Sequence, residues 1–122
     1  VSAIRRLGEV SRAYEMAADE YRAIALRAAE AEAAHKSARA RKILQVKASE
    51  TERISHAEAE ARAEADEEIA NLYRNRLITA ALQDSHREKL RQLREQVATG
   101  RTAVTSEREV DKIHAAGLSG AA

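Results

Sequence analysis

LGEVSRAYEMAADEYRAIALRAAEA, residues 7–31, is the stretch whose reading decides the fold. Within it Leu7, Val10, Tyr14, Ala17, Tyr21, Ile24, Ala28 and Ala31 recur at alternating steps of three and four. That is a 3.5-residue period sustained for about three and a half heptads, the spacing that keeps one seam of a helix against a partner helix. It predicts a first long helix over about residues 3–47. The alanine-rich middle, Ala23 to Ala40, combines high helix propensity with a thin side-chain layer, so a neighbouring helix can approach closely there. The seam thickens again at Ile43, Leu44 and Val46. Gly8 costs about 1 kcal/mol relative to Ala inside a helix, so fraying of the first turns, or a start at Ser11, is expected.

Working outward, Ser49, Thr51 and Ser55 mark a connector over about residues 48–55. Ser55 and Glu58 have capping-box spacing, and Ile54 can staple onto Ala59, so a second helix is expected from His56. Its stripe runs through Ala57, Ala61, Ala65, Ile69, Leu72, Tyr73, Leu77, Leu82, His86, Leu90, Leu93 and Val97. Gly100, the residue type that suits a left-handed C′ position, is expected to end it near residue 99. A second capping box, Ser106 with Glu109, predicts a short helix over about residues 107–116 closed by Gly117, with a mobile tail at 118–122. The expected fold is all-α: a long antiparallel helical hairpin plus a short C-terminal helix, coiled-coil-like, in a single domain. The spacing leaves open whether the two helices fold back within one chain or exchange between chains.

Composition points the same way. The 122 residues include 28 alanines, with no proline, phenylalanine, tryptophan or cysteine, and too few larger apolar side chains to fill a wide globular core. Wide apolar stripes on two thin helices call for self-association, so a homo-oligomer is expected. Its hairpin and oligomer seam is assigned to Leu7, Val10, Tyr14, Tyr21, Ile24, Ile69, Leu72, Tyr73, Leu82, Leu90, Leu93 and Val97. Ile24, Leu26, Leu72, Tyr73, Leu77 and Ile78 fall on more than one helical face, as in a helix with two neighbours. Without cysteine there is no disulfide framework and no thiol nucleophile. No apolar run reaches the ~18–20 residues of a membrane span, and Val1 to Val10 carries Arg5, Arg6 and Glu9, so a soluble, cytoplasmic protein is expected.

The net charge of +1 conceals blocks. Residues 35–49 carry Lys36, Arg39, Arg41, Lys42 and Lys47 and no acid, a net +5. Residues 50–68 are net −6 and residues 69–101 net +4. In a hairpin turning near Thr51, the first two blocks lie side by side and can neutralise one another. Alternatively the basic block, multiplied by the copies of an oligomer, forms a positive ring or groove for a polyanion. With Tyr14, Tyr21 and Tyr73 at seam positions, there is no platform for base stacking, and nucleic-acid binding would be backbone-directed and salt-sensitive.

Catalytic patterns are sparse. Glu32 and His35 share the E-x-x-H spacing of di-iron bundles, but the pattern needs a second pair, and Asp111 with His114 is a rough echo in the C-terminal segment. His35 is therefore expected to be a solvated or interface histidine, with no metal and no cofactor. His56 and His86 have no dyad partner, the four glycines are dispersed, and Asp84, Ser85 and His86 are consecutive and point apart on a helix. No enzyme is expected.

The order of features resembles the UvsY-type recombination mediators of tailed phages and the small alanine-rich helical proteins of actinobacterial phages. The resemblance covers roughly residues 12–100 and is carried by the Tyr14 to Tyr21 segment, the stretch EAAHKSARARK at residues 32–42, the Ala65-Asp66 acidic connector and a second long helix. It implies a ring-forming, non-enzymatic protein in the host cytoplasm that binds single-stranded DNA, contacts a RecA-like recombinase and the single-strand-binding protein, and helps the first displace the second. It also implies a DNA-binding role for Arg39-Ala40-Arg41, flanked by Lys36 and Lys42. Together with Lys47 these are the candidate nucleic-acid-binding residues. The alternative is a structural or interaction coil, either a virion or scaffold component or an inhibitor docking on a host protein.

Overall fold

The computed structural model describes residues 2–49, 51 and 53–121, with side chains described through residue 117. It is all-helical: α1 (Ala3–Ser49), α2 (His56–Ala65) and α3 (Glu67–Ala121), with no strand among the described residues. The chain divides into one unit of residues 22–85 and another of residues 1–21 with 86–122.

In the 22–85 unit, α1 buries Ala31, His35, Ala38 and Ile43, with Ile24, Ala28, Lys42 and Val46 half-buried. The steps of three and four that start at Leu7 therefore run on past Ala31. Facing them, Ala59 and Ala63 of α2 are fully covered and join Ile43 in a small core against which Val46 and Ile54 pack. Alanine at both positions lets the helix backbones approach closely. The N-terminus of α2 is as its sequence signals: the Ser55 hydroxyl accepts from the Glu58 N–H at 3.1 Å, and Ile54 packs on the cluster containing Ala59.

The expected single helix over residues 56–99 is corrected by a break at Asp66. Its backbone is extended (φ −66°, ψ 132°), its N–H donates to the Ala63 carbonyl at 3.1 Å, and its carboxylate accepts from the Ile69 N–H at 3.2 Å. One residue thus ends α2 and caps α3. Asp is a strong N-cap, and Glu67 and Glu68 in the first turn suit the positive end of the helix dipole, so the break is locally favourable. Contacts in this unit step in opposite directions along the two long helices: Glu32 meets Arg76, His35 meets Tyr73, and Lys42 meets Asp66.

In the other unit, the first part of α1 meets the later part of α3. Leu7, Val10, Tyr14 and Tyr21 are half-buried and Ala17 is buried, as are Leu90, Leu93, Val97 and Gly100 (half-buried) and Val104 (buried) on α3. The Ala3 N–H donates to Glu107 at 2.9 Å, Leu7 lies on Gly100, Glu20 reaches Lys89 at 3.7 Å, and Arg87 donates to the Tyr21 hydroxyl at 3.3 Å. Gly8 neither frays α1 nor moves its start, because Ser2 caps the helix by accepting from the Arg5 N–H at 3.2 Å.

Gly100 does not end a helix. No glycine among the described residues has positive φ, and a Cβ at Gly100 would stand 3.1 Å from Leu7 Cδ1. Its physical role is close approach of α1. The expected break after residue 99 and the separate helix over 107–116 are accordingly replaced by a continuous α3, with Thr102 and Thr105 bonding back to the Ala98 and Arg101 carbonyls. Neither Ser106 nor Gly117 acts as a terminus. The expected tail at 118–122 belongs to α3 up to Ala121, while its side chains and Ala122 lie outside the described residues, as do Glu50 and Glu52 of the acidic block.

Two of the residues assigned to the hairpin and oligomer seam lie outside the contact within the chain. Tyr73 and Leu82 are exposed, at 47% and 41%. Besides Ala70, the covered positions on α3 in this unit are Ile69, Leu72, Arg76, Thr79 and Gln83, which keep steps of three and four while changing from apolar to polar.

Candidate functional site

The basic block of α1 is largely answered by acids. Arg39, on the flank of the seam, reaches Glu64 at 3.0 Å and Glu60 at 3.5 Å. One turn on, Lys42 pairs with Asp66 at 3.2 Å. Lys36 pairs within its own helix with Glu32 at 2.8 Å, and Lys47 contacts His56 Nδ1 at 2.8 Å. Arg41 is exposed and has no ion-pair partner among the described residues. Lys42 holds the Asp66 carboxyl below its ordinary range through a direct hydrogen bond, supplemented by the backbone N–H of Ile69. A phosphate approaching Arg39 or Lys42 must compete with carboxylates already in place. These pairs contribute little to stability, since partly exposed ion pairs are worth about 0–1 kcal/mol.

A second cluster sits where α1 meets α3. His35 is 7% exposed, and its Nδ1 lies 3.2 Å from Arg76 Nη1. Arg can only donate, so Nδ1 is the acceptor and the ring is neutral with its proton on Nε2. Arg76 also donates to Glu32 at 3.3 Å, and the Tyr73 ring stands against the imidazole at 5.2 Å with a 49° tilt. Burial, then the Arg76 and Arg39 charges, push the His35 pKa below its ordinary value, with Glu64 opposing. Glu32 is held low mainly by Lys36, then by Arg76. A groove of about 420 Å3 opens beside this cluster, lined in part by His35, Arg39, Glu64, Tyr73 and Arg74.

This arrangement can hold and orient groups. The neutral base at its centre has Nδ1 engaged by Arg76. Glu32 and His35 do share a helical face, as their spacing requires, yet Arg76 stands where a metal would bridge them. Among the described residues no group of three or more His, Asp or Glu is placed to hold a metal ion. Arg76 was the member that sequence reasoning missed. Its signal was its position, seven residues after Ile69, on the seam rather than outside it.

His56 bridges Lys47 and Glu60, and His86 lies 3.9 Å from Glu20. No helix among the described residues is long and apolar enough to cross a membrane. No protein-family model, curated protein or solved structure matches this chain.

Proposed function

We propose that this chain is a non-enzymatic helical assembly protein: a coiled-coil-like hairpin, folded back within one chain, whose copies associate to form a structural or interaction module. One observation carries the reading. The buried core is mostly alanine, whereas Leu26, Leu44, Leu77 and Ile78 are 50–67% exposed. A chain that places its small residues inside and its large aliphatics outside gains most of its hydrophobic stabilisation by association, at about 25 cal/mol per Å2 of apolar surface removed from water. Such a module suits a virion or scaffold component, or an inhibitor that lays a helix face on a host protein. The test is mass in solution. An assembly heavier than the 13.4 kDa chain is expected at micromolar concentration, and a monomer there overturns the reading.

A second reading, a phage recombination mediator that binds single-stranded DNA and helps load a RecA-like recombinase, is favoured by Arg41. Its side chain is exposed and makes no ion pair among the described residues, and copies in an assembly would multiply it alongside Lys36 and Lys47. Titration of single-stranded DNA at two salt concentrations tests it. The expected result is salt-sensitive binding that weakens more with Arg41→Ala than with Arg39→Ala, since Arg39 is already held by Glu60 and Glu64. No binding at low salt overturns this second reading and leaves the first standing.

A further inference from the structure

In the unit of residues 1–21 and 86–122, Arg87, Arg94, Arg101 and Arg108 recur at steps of seven along α3. Seven residues are close to two turns, so the four stand one above another at intervals of about 10 Å. Beside the middle of this row α1 and α3 enclose a groove of about 470 Å3, with Arg94 and Arg101 on one wall and Ser11, Tyr14 and Glu15 on the other. Arg87 is tied to the Tyr21 hydroxyl, whereas the guanidiniums of Arg94 and Arg101 make no ion pair and no hydrogen bond among the described residues. Their acidic neighbours on α3, Glu88 and Glu95, are both taken by Arg91. The hydroxyls of the groove are also unspent. Thr79, Thr102 and Thr105 return theirs to carbonyls of their own helix, the ordinary habit of a mid-helix hydroxyl. Ser11 does not, and the hydroxyl of half-buried Tyr14 has no partner among the described residues either. No buried polar side-chain atom among those residues lacks a partner, so both hydroxyls open to solvent where they line the groove.

Two unpaired guanidiniums and two unspent hydroxyls face a single acid, Glu15, so the groove is a set of donors carrying net positive charge. Its complement is an anion rich in acceptor oxygens. Guanidinium forks match carboxylate and phosphate alike, and the spacing separates the two. One carboxylate fills one fork and leaves the other, two turns away, empty. Phosphates in succession set a charge at each fork and still have oxygens to accept from the hydroxyls between them. The volume lies within the range of about 300–1,000 Å3 usual for ligand sites. We infer that this groove binds consecutive phosphate groups, with Arg94 and Arg101 holding the charged oxygens and Ser11 and Tyr14 donating to the others. A nucleic-acid strand and a free polyphosphate both supply such a row. The site uses none of residues 36–47 and rests on neither reading above, and Arg108 continues its charge along α3 beyond the groove.

The experiment titrates the full chain with inorganic tripolyphosphate and with a short fluorescent oligothymidylate at two salt concentrations, and records circular dichroism for every variant. Arg94→Ala combined with Arg101→Ala should weaken binding about ten-fold. For the oligonucleotide it should also lower the log–log salt slope by about 1.4, two phosphate contacts at about 0.7 each. Arg27→Ala combined with Arg53→Ala removes the same charge from the other unit and should leave binding unchanged. Glu15→Gln should tighten it, an effect that damage to the fold does not produce. Equal weakening by the two double variants, or no binding of either probe, overturns the groove. Oligonucleotide binding that Arg41→Ala weakens and the Arg94 and Arg101 changes do not also overturns it, and leaves the mediator reading standing. Tripolyphosphate binding that needs Arg94 and Arg101, without oligonucleotide binding, supports the groove, assigns free phosphate chains as its ligand and overturns the mediator reading. If the Arg94 and Arg101 variant loses helix, Glu15→Gln decides, and binding that it fails to tighten overturns the groove.

Discussion

The two units use one spacing and fill it differently. In the unit of residues 1–21 and 86–122, Leu7, Val10 and Tyr14 on α1 and Leu90, Leu93 and Val97 on α3 occupy covered positions. The apolar stripe read along the chain and the packed seam coincide. In the 22–85 unit, α1 covers Ala31, His35 and Ala38, and α3 covers Arg76, Thr79 and Gln83, while Tyr73, Leu77, Ile78 and Leu82 stay outside. The first unit covers these aliphatics within the chain and leaves Ile4, Met16, Val110 and Ile113 exposed towards its ends. The second joins its helices through alanines, Ile43, Ile69 and polar links, and leaves Leu26, Leu44, Leu77 and Ile78 exposed along its middle.

The largest expected effect comes from the small core of the second unit. Ile43→Ala removes most of a side chain that is 7% exposed and packed on two fully buried alanines, and should cost about 3 kcal/mol in a denaturant titration. Leu77→Ala, only 34 positions on but outward-facing, should change stability by less than about 0.5 kcal/mol at concentrations where the chain is monomeric. If the two cost the same, the inversion of faces is wrong.

Next in size are the helix caps. Asp66→Ala and Ser55→Ala should each cost about 1 kcal/mol. The Asp66 change should also be the more disruptive near neutral pH, since it strands Lys42 as well as the Ile69 N–H. Equal losses would mean that the ion pair contributes nothing.

The glycines sharpen the comparison from the other unit. Gly8→Ala meets only the far end of Arg12, at 3.6 Å, and should stabilise by about 1 kcal/mol through helix propensity. Gly100→Ala gains the same propensity but presses on Leu7 at 3.1 Å, so its gain should be smaller. A larger gain at Gly100 would remove close approach as the reason for that glycine.

The smallest effect is on pH dependence. His35 titrates below its ordinary 6.5 because it is buried and faces Arg76 and Arg39, with Tyr73 packed on it and Glu32 and Glu64 nearby. Its neutral form is the one the fold favours, so the associated stability is complete above pH 6.5 and is lost as pH falls through the lower folded value. Unfolding midpoints compared at pH 7.5 and 5.5 should show a drop in the wild-type chain that His35→Gln reduces. An equal drop in both would place the titration elsewhere.

The all-helical character was legible because a 3.5-residue repeat over residues 7–31 has few other physical meanings. Ser55 was legible because its cap and the Ile54 staple are local. Gly100 was misread, since glycine serves both left-handed termini and close helix contact, and only the position of Leu7 distinguishes them. In the middle of α3 the apolar residues Tyr73, Leu77 and Leu82 do not trace the positions covered within the chain, which run through arginine, threonine and glutamine, so those positions were not legible from hydrophobicity. The candidate basic face was legible as a block but not as pairs. Nothing local says that Arg39 meets Glu64, a residue 25 positions away.

Asp66 has a consequence for angular phase. The covered positions of α2, Ala59 and Ala63, continued at steps of three and four through an unbroken helix, would fall on Asp66, Ala70, Tyr73, Leu77 and Ala80. One extended residue rotates the following helix by roughly one residue's turn, about 100°. Ile69, Leu72, Arg76 and Thr79 then come inward, and Tyr73 and Leu77 turn out. A single aspartate thus acts as a phase shifter, and the direction in which α3 presents Leu77 is set eleven residues upstream.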